Sequence, residues 1–198
     1  RSALDIAAYI RGTSIYYASH GFPMLPKAIS NGICSLNPSV ERLAFSAIMK
    51  VSFEGELLDF DFRKTIIRSR VKGVYQEINK ILDKTASQSL LDKYKEVLPS
   101  VYLMHELYKI LLDCKIKRGA PQLITSESKI IVDENEKTVD IQPRIQGVSE
   151  GMIEEFMLLA NEAAATLAIK KQLPFVYRVH EYPSEEKMAS LKEMIDRL

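Results

Sequence analysis

The sequence predicts an α+β protein, because stretches with strand periodicity occur in two hairpin-like pairs and helical stretches lie between and after them. Apolar residues alternate with polar ones on both sides of a turn at residues 54–56, as they do in antiparallel strands. From residue 90 onward the apolar residues are three and four positions apart, which is typical of an amphipathic helix. The order hairpin, helices, hairpin, helix favours α+β architecture over alternating βαβ units.

The first half of the chain is predicted to contain short elements followed by a long hairpin. Residues 4–11 have helical spacing and stop at Gly12, and glycine commonly terminates helices. The β-branched and aromatic residues at 13–17 predict a short strand. Two prolines in the loop 21–27 exclude a central strand or a helix interior there. The hairpin and the helix that follows it are predicted at residues 42–53, 57–70 and 74–82.

In the second half, two helices are predicted to meet near Leu98, because Pro99 favours the first turn of a new helix. The long helix at 149–171 is apolar around most of its circumference. That pattern predicts burial within a larger structure, with its carboxylates in a protein interior or a cleft. The other predicted elements are a hairpin at 129–144, a short strand at 175–180 and a terminal helix at 184–198.

Composition limits the class of protein. The chain has 198 residues, of which 46% are hydrophobic and 27% charged, with a net charge of +1. These values exclude a disordered or fibrous chain, and no apolar run approaches the roughly 18 residues that span a bilayer. Cys34 and Cys114 form no disulfide or zinc framework, so we expect a reducing, cytoplasmic location. The near-zero charge excludes a uniformly basic coat protein but allows a local basic groove.

The residues alone show no complete catalytic set. Asp59 and Asp61 would share one strand face and are the pair most similar to metal ligands. The alternative, a solvated face of a half-buried hairpin, is favoured by ordinary strand alternation. No zinc or nucleophile pattern surrounds the cysteines or the histidines, and no phosphate-binding glycine loop is present.

A row of basic residues at 64–72 is a candidate for binding a phosphate backbone. On one strand face such side chains repeat every 6–7 Å or so, a spacing that could follow a single nucleic-acid strand. The alternative, a solvated strand face, remains open. The row consists of Lys64, Arg68, Arg70 and Lys72.

Several longer motifs carry a family resemblance. RGTSIY begins at Arg11, and PMLP and SNGICSLNP follow at 23–26 and 30–38. IEEFMLLAN at 153–161 and YRVH at 177–180 come later in the same order. Together these motifs closely resemble the catalytic RNB domain of the ribonuclease R and ribonuclease II family, with the greater likeness to ribonuclease R. The resemblance extends over essentially all 198 residues.

The resemblance implies a processive, Mg²⁺-dependent exoribonuclease. Such enzymes bind the 3′ end of single-stranded RNA and hydrolyse it to nucleoside 5′-monophosphates, with metal ions that activate the attacking water. In this family an aspartate cluster that binds the metal precedes the RGTSxY motif, and an arginine-rich segment follows the RVH region. Here Asp5 is the one acid before Arg11, and the chain stops at Leu198. We therefore expect residues 1–198 to be a partial RNB domain without metal ligands, and inactive alone.

Two positions acquire specific roles from the resemblance. Tyr16 matches the tyrosine that stacks on the terminal base, which suits a flat ring that accepts any base. The alternative for Tyr16 is a core tyrosine of a strand. Glu155, or its neighbour Glu154, matches the acid near the 3′ ribose, where an acceptor could recognise the 2′-OH of RNA. The alternative for these acids is a capping or structural carboxylate.

Other positions are matched more loosely. Asn37 and Arg42 would shape the loop near the site. For Arg68, Arg178 and His180, RNA contact and structural pairing remain equal alternatives. In a separate departure from the family pattern, an aromatic residue of some relatives is replaced by leucine at position 123.

A second class of function fits the same resemblance. The chain could belong to a non-catalytic module, derived from the RNB domain, that binds RNA or acts as a scaffold. An aspartate cluster encoded upstream of these residues would favour the exoribonuclease, and the absence of such a cluster would favour the non-catalytic module.

Overall fold

The structure is a computed structural model that describes residues 2–120 and 127–197, and it confirms the α+β class. Two compact units divide the chain between Asn161 and Glu162. The helices are α1 (Ala3–Arg11), a π-helical turn (Ala28–Ile33), α2 (Tyr75–Leu82), α3 (Gln88–Tyr94), α4 (Leu98–Lys117), α5 (Val148–Lys170) and α6 (Glu185–Asp196). The strands are β1 (Ile15–Tyr16), β2 (Gly21–Phe22), β3 (Glu41–Val51), β4 (Leu57–Arg68), β5 (Glu127–Val132) and β6 (Thr138–Arg144).

The strands form three antiparallel hairpins, each from strands that are consecutive in the chain: β1 with β2, β3 with β4, and β5 with β6. Both longer hairpins were predicted. The β3–β4 turn is closed by hydrogen bonds from Ser52 to Glu56 and from Gly55 to Ser52. Gly55 has a φ of 85°, a conformation that glycine adopts without strain. The prediction of a loop over 21–27 is wrong for its first two residues, which pair with β1.

Local capping signals set several helix ends. The Ser2 side chain accepts a hydrogen bond from the amide of Asp5 at the start of α1, and Gly12 ends this helix with a φ of 67°. Pro99 lies in the first turn of α4, where its missing N–H leaves no helical bond unmade. The two predicted helices therefore meet between Tyr94 and Leu98, as the sequence indicated.

The core of the first unit is a small cluster between α2, α3 and α4. Ile78, Ile81, Tyr94 and Val101 are buried there and are surrounded by partly buried aliphatic side chains. The Tyr94 hydroxyl accepts a hydrogen bond from the Val74 amide and donates one to Glu77. Burial of this phenol is thus compensated by polar partners at the start of α2.

Some large apolar side chains of the first unit are exposed. One face of the β3–β4 hairpin is an example: Leu43 is 81% exposed, Phe45 72% and Ile66 67%. These residues share a face because Leu43 pairs with Ile66 and Phe45 with Lys64.

One predicted element is wrong. The predicted strand at 175–180 is not formed, because no strand within the described residues pairs with it, and Val176 and Val179 are 94% and 77% exposed. Within this chain the long helix α5 buries one face. Met152 is buried on α5, whereas Met157 is 60% exposed. None of the helices in residues 2–120 and 127–197 combines the length and apolar character needed to cross a membrane.

Candidate nucleic-acid interface

One lysine of α4 binds two adjacent carboxylates of α5. The Nζ atom of Lys115 donates to Oε1 of Glu155 at 2.6 Å and to Oε1 of Glu154 at 3.1 Å. The Glu155 side chain is 6% exposed and the Glu154 side chain is 53% exposed. The expectation of a carboxylate in a protein interior therefore holds for Glu155, whereas Glu154 lies at the surface.

The charge of Lys115 is stabilised by this arrangement. The hydrogen bond with Glu155 raises the pKa of Lys115 above its ordinary value of 10.5, and this effect exceeds the opposing effect of burial. The ammonium group therefore stays protonated at neutral pH. A buried carboxylate needs such a partner, because an uncompensated buried charge is strongly unfavourable.

Tyr108 and Gly151 bring the two helices together beside these charges. Tyr108 lies two turns before Lys115 on α4, so both side chains lie on the same face of the helix. A Cβ atom on Gly151 would be 2.7 Å from the Tyr108 hydroxyl, so glycine permits this close approach. Burial is the main cause that raises the pKa of the Tyr108 phenol, and the nearby carboxylates of Glu155 and Glu154 raise it further.

Tyr16 lies at the surface of the short β1–β2 hairpin. Its side chain is 82% exposed in this chain. Tyr16 pairs with Gly21 on β2, and the lack of a side chain at Gly21 leaves room for the aromatic ring. A ring that is held at one side and open at the other could stack on a base.

The RGTSIY and PMLP motifs are joined by two hydrogen bonds. Arg11 donates from its guanidinium to the carbonyl of Pro23 at 2.8 Å, and the amide of Met24 donates to the Ser14 hydroxyl at 3.0 Å. These bonds fix the segment on either side of Tyr16. The two motifs thus form one local scaffold.

The SNGICSLNP loop is folded by its own polar side chains and by β4. Asn37 donates to the carbonyl of Asn31, and Arg42 donates to the carbonyl of Ser35, so both shape the loop as expected. The loop reaches the end of β4, where the Ser39 amide donates to the carbonyl of Ser69 at 2.8 Å.

Arg68 ends β4 beside this loop, and its side chain is exposed. Together with Arg70 and Lys93 it lines a cleft of about 430 Å³, but Asp92 and Glu96 line it too, so the cleft is of mixed charge. The predicted basic row is not continuous. The strand stops at Arg68, so Arg70 and Lys72 lie beyond it, and the apolar Ile66 lies between Lys64 and Arg68 on the same strand face.

Arg178 and His180 lie in the second unit, in a segment without helix or strand, and both are exposed. Within that first unit, no hydrogen bond or ion pair between described residues connects Tyr16, Arg68 and the Lys115 cluster to one another. Leu123, which stands where some relatives have an aromatic residue, lies outside the described residues.

The other sequence candidates have structural contacts. Asp61 forms an ion pair with Arg63, and Asp59 accepts a hydrogen bond from the amide of Phe60. The Cys114 thiol donates to the carbonyl of Glu54 at the β3–β4 turn, and Cys34 is an exposed free thiol. In residues 2–120 and 127–197, no group of three or more acidic, histidine or cysteine side chains is placed to hold a metal ion.

Comparison with known proteins identifies the family. A sequence profile of the RNB domain matches residues 1–198. The chain belongs to the RNB domain family. This RNB chain is 41% identical over 187 residues to ribonuclease R 1 of Lactococcus lactis, an alignment that covers 94% of the chain and 23% of that protein. It is 40% identical over 198 residues to ribonuclease R of Thermotoga maritima, with coverage of 100% and 28%. The RNB chain thus spans about a quarter of the length of these relatives.

Solved structures confirm the RNB fold. The Mycoplasma genitalium RNase R in complex with double-stranded RNA aligns with a TM-score of 0.93 and 31% identity, over all of this chain and 35% of that one. The same enzyme in complex with ribose-methylated single-stranded RNA also gives a TM-score of 0.93, at 30% identity, over 100% and 30% of the two chains. The resemblance inferred from the RGTSIY, PMLP and IEEFMLLAN motifs is therefore confirmed at the level of the family.

Proposed function

We propose that these residues act within a ribonuclease R-like enzyme that degrades single-stranded RNA from its 3′ end and releases nucleoside 5′-monophosphates. The observation that carries the proposal is the similarity to ribonuclease R along the whole chain, at 40% identity to the Thermotoga maritima protein. Since the chain spans about a quarter of that relative's length, the activity would belong to a longer polypeptide.

The exposed ring of Tyr16 supports binding of a terminal base. Base–aromatic stacking contributes about 1–3 kcal/mol per base and does not depend strongly on base identity. That property suits an enzyme that shortens RNA of any sequence. The hydrogen bonds of Arg11 and Met24 hold the backbone around Tyr16, so the ring is positioned before RNA arrives.

The pair of acids on α5 supports contact with the ribose. A carboxylate oxygen accepts a hydrogen bond from a hydroxyl and repels a phosphate, so Glu154 and Glu155 suit the sugar rather than the backbone. The exposed side chains of Arg68, Arg178 and His180 would contact phosphates elsewhere along the strand.

The Mg²⁺ that the family resemblance implies does not fit the described residues, since they provide no cluster of metal ligands. We propose that its ligands are supplied by other residues of the complete enzyme. The 198-residue chain alone would then bind RNA without cleaving it.

The test compares two proteins, the product of the complete reading frame and the 198-residue chain, on single-stranded RNA labelled at its 5′ end. With Mg²⁺ present, the complete protein is expected to shorten the RNA from the 3′ end and release nucleoside 5′-monophosphates, while the chain alone releases none. Internal cuts, shortening from the 5′ end, or release by the chain alone would contradict the proposal. Binding without release by the complete protein would support the non-catalytic RNA-binding or scaffold role instead.

A further inference from the structure

The short hairpin that carries Tyr16 needs support from elsewhere in the protein. β1 and β2 are joined by two residue pairs, Ile15 with Phe22 and Tyr16 with Gly21. Even a longer two-stranded hairpin is only marginally stable in water by itself. The hydrogen bonds between the RGTSIY and PMLP motifs hold the open end of this hairpin. The turn at residues 17–20, at the opposite end, is held by a different set of contacts.

Three aromatic rings, those of Tyr17, His20 and Phe22, form a cluster at this turn. The ring centroid of His20 lies 4.9 Å from that of Phe22, and the centroid of Tyr17 lies 5.9 Å from that of Phe22. The Tyr17 amide also donates to the carbonyl of His20 at 2.8 Å. Tyr17 directly follows Tyr16, and Phe22 directly follows Gly21, against which the Tyr16 ring lies. A displacement of the aromatic cluster would therefore displace the backbone that carries Tyr16.

The turn of the β5–β6 hairpin contacts this aromatic cluster. Oε1 of Glu136 lies 3.4 Å from Nδ1 of His20, which also lies 2.8 Å from the hydroxyl of Ser19. An ionised carboxylate can only accept, so the contact with Glu136 is attractive when Nδ1 carries a hydrogen. Ile130 and Val132 of β5 line the same cleft as the aromatic cluster, with a volume of about 330 Å³. The β5–β6 hairpin thus supports the β1–β2 turn through one polar contact beside apolar side chains.

We propose that Glu136 is a positioning residue that acts through His20 and the aromatic cluster and holds the Tyr16 ring where it stacks on the terminal base of bound RNA. This inference rests on the proposed function. A ring that is held before RNA arrives loses less conformational entropy on binding. The side chains of His20 and Glu136 are 48% and 63% exposed, and an ion pair at such exposure contributes little free energy. The expected effect is therefore a change of a few-fold in RNA binding rather than its loss.

The experiment separates stacking of the base from overall affinity. The complete protein in EDTA is titrated into a single-stranded RNA with 2-aminopurine at its 3′ terminus, whose fluorescence falls when the base stacks. Glu136→Ala is expected to weaken RNA binding by about two- to fivefold and to leave more fluorescence in the saturated complex. His20→Ala should do at least as much, because it removes a ring of the aromatic cluster as well. The double variant should match His20→Ala alone, since both changes break the same contact.

Glu134→Ala is the matched control, because Glu134 is an exposed acid of the same turn. Removal of a negative charge favours RNA binding at either position, so weaker binding by Glu136→Ala cannot arise from the change in charge. Glu134→Ala should leave the fluorescence of the saturated complex unchanged. The Glu136 side chain is exposed, so its variant tests the proposal even if His20→Ala does not fold.

Three results would overturn the inference: a Glu136→Ala protein whose saturated complex is quenched as fully as that of the unchanged protein, equal effects of Glu134→Ala and Glu136→Ala, or quenching that persists in Tyr16→Ala. Additive losses in the double variant would overturn it as well. Failure to release nucleotides with Mg²⁺, while the fluorescence follows the expected pattern, would contradict the proposed nuclease and leave the role of Glu136 supported.

Discussion

The ring of Tyr16 lies against Gly21 so closely that a Cβ atom on Gly21 would come within 2.9 Å of its Cδ1 atom. The two residues are paired across the β1–β2 hairpin. Gly21 therefore determines where this exposed ring can lie.

Substitution of Gly21 by alanine should displace the Tyr16 ring without unfolding the protein. The nearest atoms to the added Cβ belong to the Tyr16 side chain, which can move more easily than backbone. We expect weaker binding of single-stranded RNA by a few-fold, measured by anisotropy in EDTA. Gly32→Ala is the control, since no atom lies within 4 Å of the added Cβ there. Equal effects of the two changes would contradict a specific role for Gly21.

Removal of the ring itself should have a larger effect. Tyr16→Ala is expected to weaken RNA binding by about tenfold or more, in line with the loss of one stacked base. Tyr16→Phe keeps the aromatic face and should bind almost normally. Phe53→Ala removes another exposed ring, 91% accessible, at the β3–β4 turn and should have no effect. A Tyr16→Ala protein that binds RNA normally would show that the ring does not stack.

The α4–α5 contact predicts a stability effect at Gly151. Gly151→Ala places a methyl group 2.7 Å from the Tyr108 hydroxyl, and overpacking of this kind costs about 1–3 kcal/mol. Tyr108→Phe removes the oxygen and should restore part of the loss in the double variant. Urea denaturation measures the free energy of unfolding of Gly151→Ala, Tyr108→Phe and the double variant. Additive losses in the double variant would show that the two residues do not meet.

Glu150 should make stability depend on acid pH. Burial acts to raise its pKa, but hydrogen bonds from Asn79, Ser149 and Gly147 outweigh it and the pKa falls below the ordinary 4.5. The ionised Glu150 carboxylate therefore stabilises the folded protein fully above pH 4.5. This stabilisation is lost as the pH falls through the lowered pKa. Glu150→Gln should reduce stability at pH 7 by about 1 kcal/mol.

The measurement is urea denaturation of the Glu150→Gln protein across the acid range. Its stability should fall less steeply below pH 4.5 than that of the unchanged protein. Glu134→Gln, at an exposed position of the β5–β6 turn, should keep the original slope. Identical slopes in the Glu150→Gln and unchanged proteins would disprove the role of Glu150.

Features set by local sequence were predicted well. Gly12 marked the end of α1 because a positive φ at a helix end depends on only a few neighbouring residues. Pro99 marked the start of α4 for the same reason. The alternation on both sides of Gly55 gave the hairpin, since the strands are adjacent in sequence and pair locally.

Features set by distant contacts were not predicted. Val176 and Val179 belong to a segment with strand-forming residues, yet no described strand pairs with it. Lys115 was missed because helix periodicity shows which face a residue occupies but not which helix packs against that face. The expected burial of a carboxylate on α5 required a nearby cation, and only the structure showed that α4 supplies it.

The most direct test of the account locates the end of a bound RNA strand on the protein. A single-stranded RNA with a photoreactive base analogue at its 3′ terminus would be crosslinked to the complete protein in EDTA, and the modified peptide mapped by mass spectrometry. We expect crosslinks in the peptide that contains Tyr16. They should be lost in Tyr16→Ala and absent when the analogue is at the 5′ terminus. Crosslinks at Tyr16 from the 5′ terminus, or 3′ crosslinks confined to other peptides, would contradict it.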